Sequence, residues 1–368
     1  MTLREGLDRP ARCSRPTSAE AGRVDFGQPM VVVRGKWGSF RLDLRSIVVC
    51  IAVLVVVIAV ALMALATGSY PLSIGQVASA LAGGETGLVH DIVVEWRLPR
   101  VVAALVFGAA LGVSGAVFQS LMRNPLADPG IIGFSQGSYT GALIVVLVIN
   151  GSYLQLVGGA LLGGMATAVL VYLLAYRRGV QGFRLIIVGI GVSAMLGSVN
   201  TWLVLKAELE QAMAAAAWGA GSLNGVSWDQ VVLGGAFIAI FLLLAGMLSR
   251  PMRQMEIGDD AAASQGVSVS AVRLGLMIVG VALTATVTAA SGPIAFISLV
   301  APQIARRLAR TAGITLAPAA CVGALLCLVA DYVAQHVAPT PLPVGIITVM
   351  IGGGYLGWLL FIEARRQL

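Results

Sequence analysis

Ten long apolar blocks, joined by short polar or charged connections, pattern this chain: residues 44–67, 98–121, 131–149, 154–176, 185–205, 231–249, 272–290, 294–305, 316–337 and 344–362. At about 1.5 Å of helical rise per residue, most are long enough to cross a hydrocarbon core about 30 Å thick. The eighth is short because Pro293 and Pro302 interrupt it, and it needs the arginine-rich turn that follows to complete a crossing. The pattern predicts an all-α polytopic membrane protein of about ten transmembrane helices over residues 44–368. Residues 1–43 hold Pro10, Pro16, Pro29, several arginines and no sustained periodicity, so they are expected to form a disordered basic cytosolic tail. A secretory signal is not expected, because the first apolar block starts far from Met1 and is too long for a signal core.

Composition agrees: 58% hydrophobic and 11% charged residues, with mean hydropathy +0.91, suit no soluble fold. Of the 24 Lys and Arg residues, all but Arg97, Arg100 and Lys206 fall on one side of the alternation that the blocks impose. Basic residues are retained on the cytoplasmic side, so both termini are expected in the cytosol. The net charge of +7 then reflects topology rather than nucleic-acid binding. Cys13, Cys50, Cys321 and Cys327 imply no disulfide framework, and His90 and His336 imply no histidine metal site. Glycines concentrate inside the blocks, at 108, 112 and 115, at 158, 159, 163 and 164, and at 352–354. Such small residues let helix backbones approach closely, within one bundle or, for some of them, at a seam between subunits.

No energy source is encoded. A phosphate-cradling loop needs Gly-Lys followed by Ser or Thr, but Lys36 precedes Trp37 and Lys206 precedes Ala207. Any ATP is therefore hydrolysed by another polypeptide. Ion-coupled carriers usually bury several ionisable groups, whereas Asp331 is almost the only one inside these blocks. A separate motor is favoured over an ion gradient, and catalysis by the chain itself is not expected.

Three segments carry more. EWRLPR (95–100) places Arg97 and Arg100 at the outer mouth of the second block, where exposed guanidinium forks suit the carboxylates of an external partner. The alternative is an interfacial anchor, or a pair with Glu95 or Asp91. The cytosolic loop 250–273 should hold a short helix capped by Asp259 and ended by a left-handed Gly266, with Ser268 or Ser270 starting the next helix. That makes a compact knob fit for a cleft on a partner, although ordinary loops also carry caps. SGPIAFISLVAPQIARR (291–307) is broken by prolines, as in a transport pathway or a simple packing kink.

These segments, in order WRLPR, SGAVFQSLMRNPLADPG, IGDDAAASQGV, SGPIAFISLVAPQIARR and LPVGIITVMIGG, resemble the FecCD-type family of iron-siderophore and cobalamin ABC importer permeases, over about residues 44–362. The resemblance implies a type II ABC importer permease bundle. It also implies a second permease of the same type, alike or different, two ATPase subunits that use the ATP, and an extracytoplasmic siderophore-binding protein, with no cofactor bound by this chain. EWRLPR, FRLIIVGIGVSAML, NTWLVLKAELE, WGAGSLNG and MEIGDDAA look most like the branch that carries ferric enterobactin, implying a ferric catecholate cargo. Cobalamin or haem import, and more remotely a gradient-driven carrier or exporter, remain alternatives.

By the same resemblance Arg97 and Arg100 dock the binding protein. Gly258, Asp259, Asp260, Ala262, Gln265, Gly266 and Val267 couple to the ATPases, and Ser193, Ser198, Asn200 and Thr201 are path-lining candidates, for each of which helix packing is the other role. Gln303 stands where many relatives have histidine, Gln335 where many have arginine, and Gln265 where leucine is usual.

Overall fold

The computed structural model describes residues 30–35, 38–149, 151–175, 182–311 and 313–367, and divides the chain into two units, Met1–Ile47 and Val48–Leu368. In the first unit, strands β1 (Met30–Gly35) and β2 (Gly38–Asp43) pair antiparallel, with Met30 opposite Asp43 and Gly35 opposite Gly38. The tail expected to be disordered through residue 43 is thus ordered as a hairpin over these strands. The three β-branched valines at 31–33 favour a pleated backbone, and that local preference outweighs the low periodicity. Residues 1–29, Cys13 among them, lie outside the described residues, as do Arg177 and Arg178.

From Leu44 onward the regular elements are helices. Helix α1 (Leu44–Ala66) is followed by α2 (Ile74–Leu81), α3 (Leu88–His90), a π-helical turn (Asp91–Arg97) and α4 (Leu98–Met122). Next come α5 (Phe134–Ile144), extended by a π-helical turn (Val145–Ile149), then α6 (Tyr153–Ala175), α7 (Gly182–Lys206) and α8 (Leu209–Gly219). The chain continues through α9 (Trp228–Ile257), α10 (Asp259–Ser264), α11 (Val269–Ser291), α12 (Ile297–Ala309), α13 (Leu316–His336) and α14 (Val344–Gln367).

Among the described residues, seven helical stretches are long and apolar enough to cross a membrane. They are α1, Leu88–Met122, α6, α7, α9, α11 and α13; 134–149 and 344–358 are shorter apolar helices. Helix α12 has 13 residues and is preceded by Phe296, whose φ of 66° is left-handed. The proline-broken eighth block is therefore a half-length helix.

Helices α4 and α11 occupy the middle. Helix α4 packs on α13, α9, α11 and α12, while α5, α6 and α7 form a second group joined to it through α11. Glycine explains the closeness of the first contacts. A Cβ on Gly108 or Gly112 would collide with the carbonyl oxygens of Gly323 or Ala319 on α13, and one on Gly115 with that of Ser298 on α12. Pro302 has no N–H to offer the Ser298 carbonyl four residues back, and Gly115 lets the α4 backbone lie against that oxygen instead. Gly137 and Gly141 on α5 meet Gly163 and Gly159 on α6 in the same way. The seam alternative keeps Gly158, Gly353 and Gly354, where an added Cβ would meet nothing.

Several buried polar groups are paired between helices. Ser114 donates to the Gly280 carbonyl at 2.7 Å and lies 2.8 Å from the Thr284 hydroxyl. Gln119 donates to the Leu299 carbonyl at 2.9 Å and accepts from Gln303 at 2.5 Å, so Gln303 completes a buried amide pair across α4 and α12. Ser298 donates to the carboxylate of Asp128, tying the α4–α5 connection to the first turn of α12.

Candidate functional site

Arg97 and Arg100 are anchored, not free. Arg100 faces Asp331 on α13 through two parallel hydrogen bonds, Nε to Oδ2 and Nη2 to Oδ1, both 2.8 Å. Their side chains are 15% and 3% exposed, and Gln335 donates to the same carboxylate at 2.8 Å. Arg97 donates to the backbone carbonyls of Leu65 at 2.6 Å and Tyr70 at 2.7 Å. The exposure expected of both residues is not found: each is half-buried. A guanidinium at the edge of an apolar bundle needs partners that replace water, and the nearest ones belong to the fold. Neither Glu95 nor Asp91 but Asp331, distant in sequence, takes that role for Arg100.

At the opposite end of α4, the knob has the expected backbone with a different first turn. Gly258, φ 149° and ψ 150°, ends α9 and precedes α10, and Gly266, φ 86°, turns the chain toward Ser268 and α11. The Val267 N–H reaches back to the Ala262 carbonyl at 3.1 Å, and Ala262 is buried. Asp259 does not cap α10. Its carboxylate bridges Arg123 at 2.5 Å and Arg273 at 2.6 Å, the second of which projects from α11. Arg123, left-handed at the end of α4, also donates to the Met255 carbonyl of α9 at 2.6 Å. Two cations outcompete a backbone N–H for one carboxylate, because ion-paired hydrogen bonds are the stronger kind. Burial alone would raise the Asp259 pKa, but the hydrogen bonds and charges of Arg273 and Arg123 carry it below the usual aspartate range. The knob is thereby pinned to α4, α9 and α11 together, while Asp260, Gln265 and Gly266 face outward.

The α7 candidates separate into two kinds. Ser198 and Thr201 are exposed, and their hydroxyls donate to carbonyls one turn back, Ala194 at 3.1 Å and Gly197 at 3.0 Å. Ser193 packs beside Gly133, which sits at φ 94° just before α5. Asn200 is buried and joins α7 to α5: its Nδ2 lies 3.0 Å from Gln136 Oε1, and its Oδ1 accepts from Thr140 at 2.6 Å. An open groove of about 630 Å³ runs along this face, lined by Gln136, Tyr139, Ser198, Asn200, Thr201 and apolar neighbours.

Ser198, Asn200 and Thr201 thus share one groove; Ser193 is not among its lining residues. Sequence reading missed Gln136 and Tyr139, which form the other wall. The signal was a cluster of polar residues, Ser135, Gln136, Ser138 and Thr140, inside the third apolar block. Tyr139 is held by its hydroxyl, which donates to the Ala215 carbonyl of α8 at 3.0 Å, and by a tilted ring contact with Trp218 at 5.4 Å.

Over 324 residues the chain is 48% identical to the ferric enterobactin transport system permease protein FepG of Escherichia coli (strain K12), covering 88% of this chain and 98% of that protein. It is 38% identical to the iron(3+)-hydroxamate import system permease protein FhuG of Bacillus subtilis (strain 168), with 73% and 83% covered. A solved inward-facing conformation of a metal-chelate type ABC transporter superposes with a TM-score of 0.73 at 25% identity, over 86% of this chain and 99% of the other. The model of the FecCD transport family matches residues 53–361, and the chain belongs to that family.

Proposed function

We propose that this chain is the membrane-embedded permease subunit of an ATP-binding-cassette importer that moves a ferric siderophore, ferric enterobactin or another catecholate, across the cytoplasmic membrane. The observation that carries the reading is the 48% identity to the ferric enterobactin permease over 98% of that protein's length. The chain performs no chemical step on iron or ligand. It works beside a second FecCD-type permease, two ATPase subunits and an extracytoplasmic binding protein. Ten crossings, counting the half-length α12 and the shorter helices, with both termini in the cytosol, agree with the distribution of basic residues.

Alternating access fits the geometry. The knob at 258–267 is the point at which ATPase motion enters, and its Asp259 pins pass a displacement to α4, α9 and α11 as one body. Helices α5 and α7, lying beyond α11, carry the groove that faces the path, with Ser198 and Thr201 on its wall. Docking of the binding protein by Arg97 and Arg100 requires each to exchange a partner already in the fold, so in the undocked chain they hold the outer end of α4 in place.

The test is reconstitution of the chain with its partner permease, ATPase and binding protein in proteoliposomes. Uptake of radiolabelled ferric enterobactin that requires ATP and binding protein is expected. Accumulation by this chain alone, or uptake of haem or cobalamin in place of the catecholate, would overturn the reading.

A further inference from the structure

Every side-chain donor on the wall of the 630 Å³ groove but one is consumed by the protein. The hydroxyls of Ser198 and Thr201 are turned back onto their own helix, and Tyr139 spends its hydroxyl proton on Ala215. Asn200 is used on both sides. Its Nδ2 faces the Gln136 backbone carbonyl at 3.3 Å and Gln136 Oε1 at 3.0 Å, while its Oδ1 takes the Thr140 hydroxyl. The Thr140 hydroxyl has one proton to share between Asn200 Oδ1 and the Gln136 carbonyl, 2.8 Å away. With that proton on Oδ1, Asn200 Nδ2 is the donor facing the Gln136 carbonyl, which can only accept, and this arrangement orients the Gln136 amide as well. Oε1 of Gln136 must face Nδ2, which turns Nε2 away without a hydrogen-bond partner among the described residues. Gln136 is half-buried on the first turn of α5, at the wall of the groove.

We propose that Gln136 is the specificity-determining donor of this permease, offering its Nε2–H groups to the anionic oxygens of the passing iron chelate, and that Asn200 is a positioning residue that holds the amide in that orientation. The inference rests on the siderophore reading above and deepens it. A ferric catecholate is an anion whose iron-binding oxygens are acceptors alone, so a wall with one uncommitted donor recognises it. The groove lining carries no formal charge. An arginine there would bind the anion strongly and hold it, whereas a conduit needs a contact favourable enough to admit the cargo and weak enough to release it. A neutral amide meets both conditions. Asn200, which sequence reading placed among the lining residues, acts through Gln136 and not on the cargo.

The experiment uses the complete reconstituted transporter, with ferric enterobactin presented on its binding protein. Gln136→Glu reverses the polarity of the contact at nearly constant shape, and Gln136→Met removes the donor while keeping length and neutrality. Asn200→Asp leaves the buried site with acceptors only, so Gln136 must turn Nε2 inward to satisfy it. All three are expected to lower the maximal uptake rate, Gln136→Glu by about tenfold or more. Binding-protein-stimulated ATP hydrolysis and the concentration of loaded binding protein giving half-maximal uptake should stay at wild-type values. A merely structural role would lower assembly and ATP turnover along with uptake. If the wild type imports the catecholate and Gln136→Met imports it equally fast, the inference is wrong whatever Gln136→Glu does. If the wild type imports no ferric catecholate, the cargo assignment itself falls and this inference falls with it.

Discussion

Replacing Asp331 by alanine removes the carboxylate that faces the Arg100 fork and leaves a guanidinium 15% exposed without an anionic partner among the described residues. Deleting one member of a buried pair costs about 3–5 kcal/mol, because the survivor is an uncompensated charge. Here Gln335 loses its acceptor as well. The double substitution Arg100→Met with Asp331→Leu removes both charges together, and buried pairs exchanged for apolar groups are commonly neutral or better. The expected order of stability is therefore wild type close to the double variant, with Asp331→Ala well below both. At about 2 °C per kcal/mol, the single variant should melt roughly 6 °C or more below wild type in detergent, read by loss of the monodisperse peak after heating. The reasoning is refuted if Asp331→Ala melts with the wild type, or if the double variant is no more stable than the single one. Preserved stability of the double variant with lost binding-protein affinity would show that Arg100 also serves docking.

Three further outcomes follow from particular contacts. Gly115→Ala drives a methyl group into the Ser298 carbonyl, and because backbone cannot rotate away, a loss of about 1–3 kcal/mol and a lower melting temperature are expected; unchanged melting would disprove the α4–α12 contact. Gly266 sits at φ 86° with no atom near an added Cβ, so its requirement is conformational alone. Gly266→Ala should cost about 1–2 kcal/mol at the knob and reduce transport per ATP, while Gly266→Asn, which tolerates the left-handed region, should retain more of it. Equal coupling in alanine and asparagine variants would argue against that. Asp259 has a depressed pKa, so the stability it gives the knob is present above the ordinary aspartate range and is lost as pH falls through the depressed value. Hydrogen exchange across 258–267 should rise on acidification in the wild type and be already raised at neutral pH in Asp259→Asn; flat exchange in both would remove the pin.

Much of the architecture is written in short-range pattern. Runs of apolar residues mark the crossings, Pro293 and Pro302 mark the broken helix, and Gly258 and Gly266 bracket the knob, because each depends on residues within about a turn of one another. The small residues of α4 announced close packing without saying against what. Several roles were invisible at that range. Arg100 looked like an external hook until α13 brought Asp331 beside it from 231 positions away. Asp259 looked like a cap until Arg123 and Arg273 converged on it. Asn200 looked like a path residue until Gln136 and Thr140 enclosed it, and Gln136 drew no notice at all.

What the sequence determined by itself is therefore the helical membrane character, the positions of the breaks and turns, and, through motif resemblance, the family. What the tertiary structure alone decided is which polar groups are spent on the fold and which are left to act. The reason is physical: backbone hydrogen bonding and hydrophobic length are local, so they can be read along the chain. The partner of a charge or amide in a low-dielectric interior is set instead by which helices pack together, and an uncommitted donor such as the Gln136 amide is recognisable only after every neighbouring one has been accounted for.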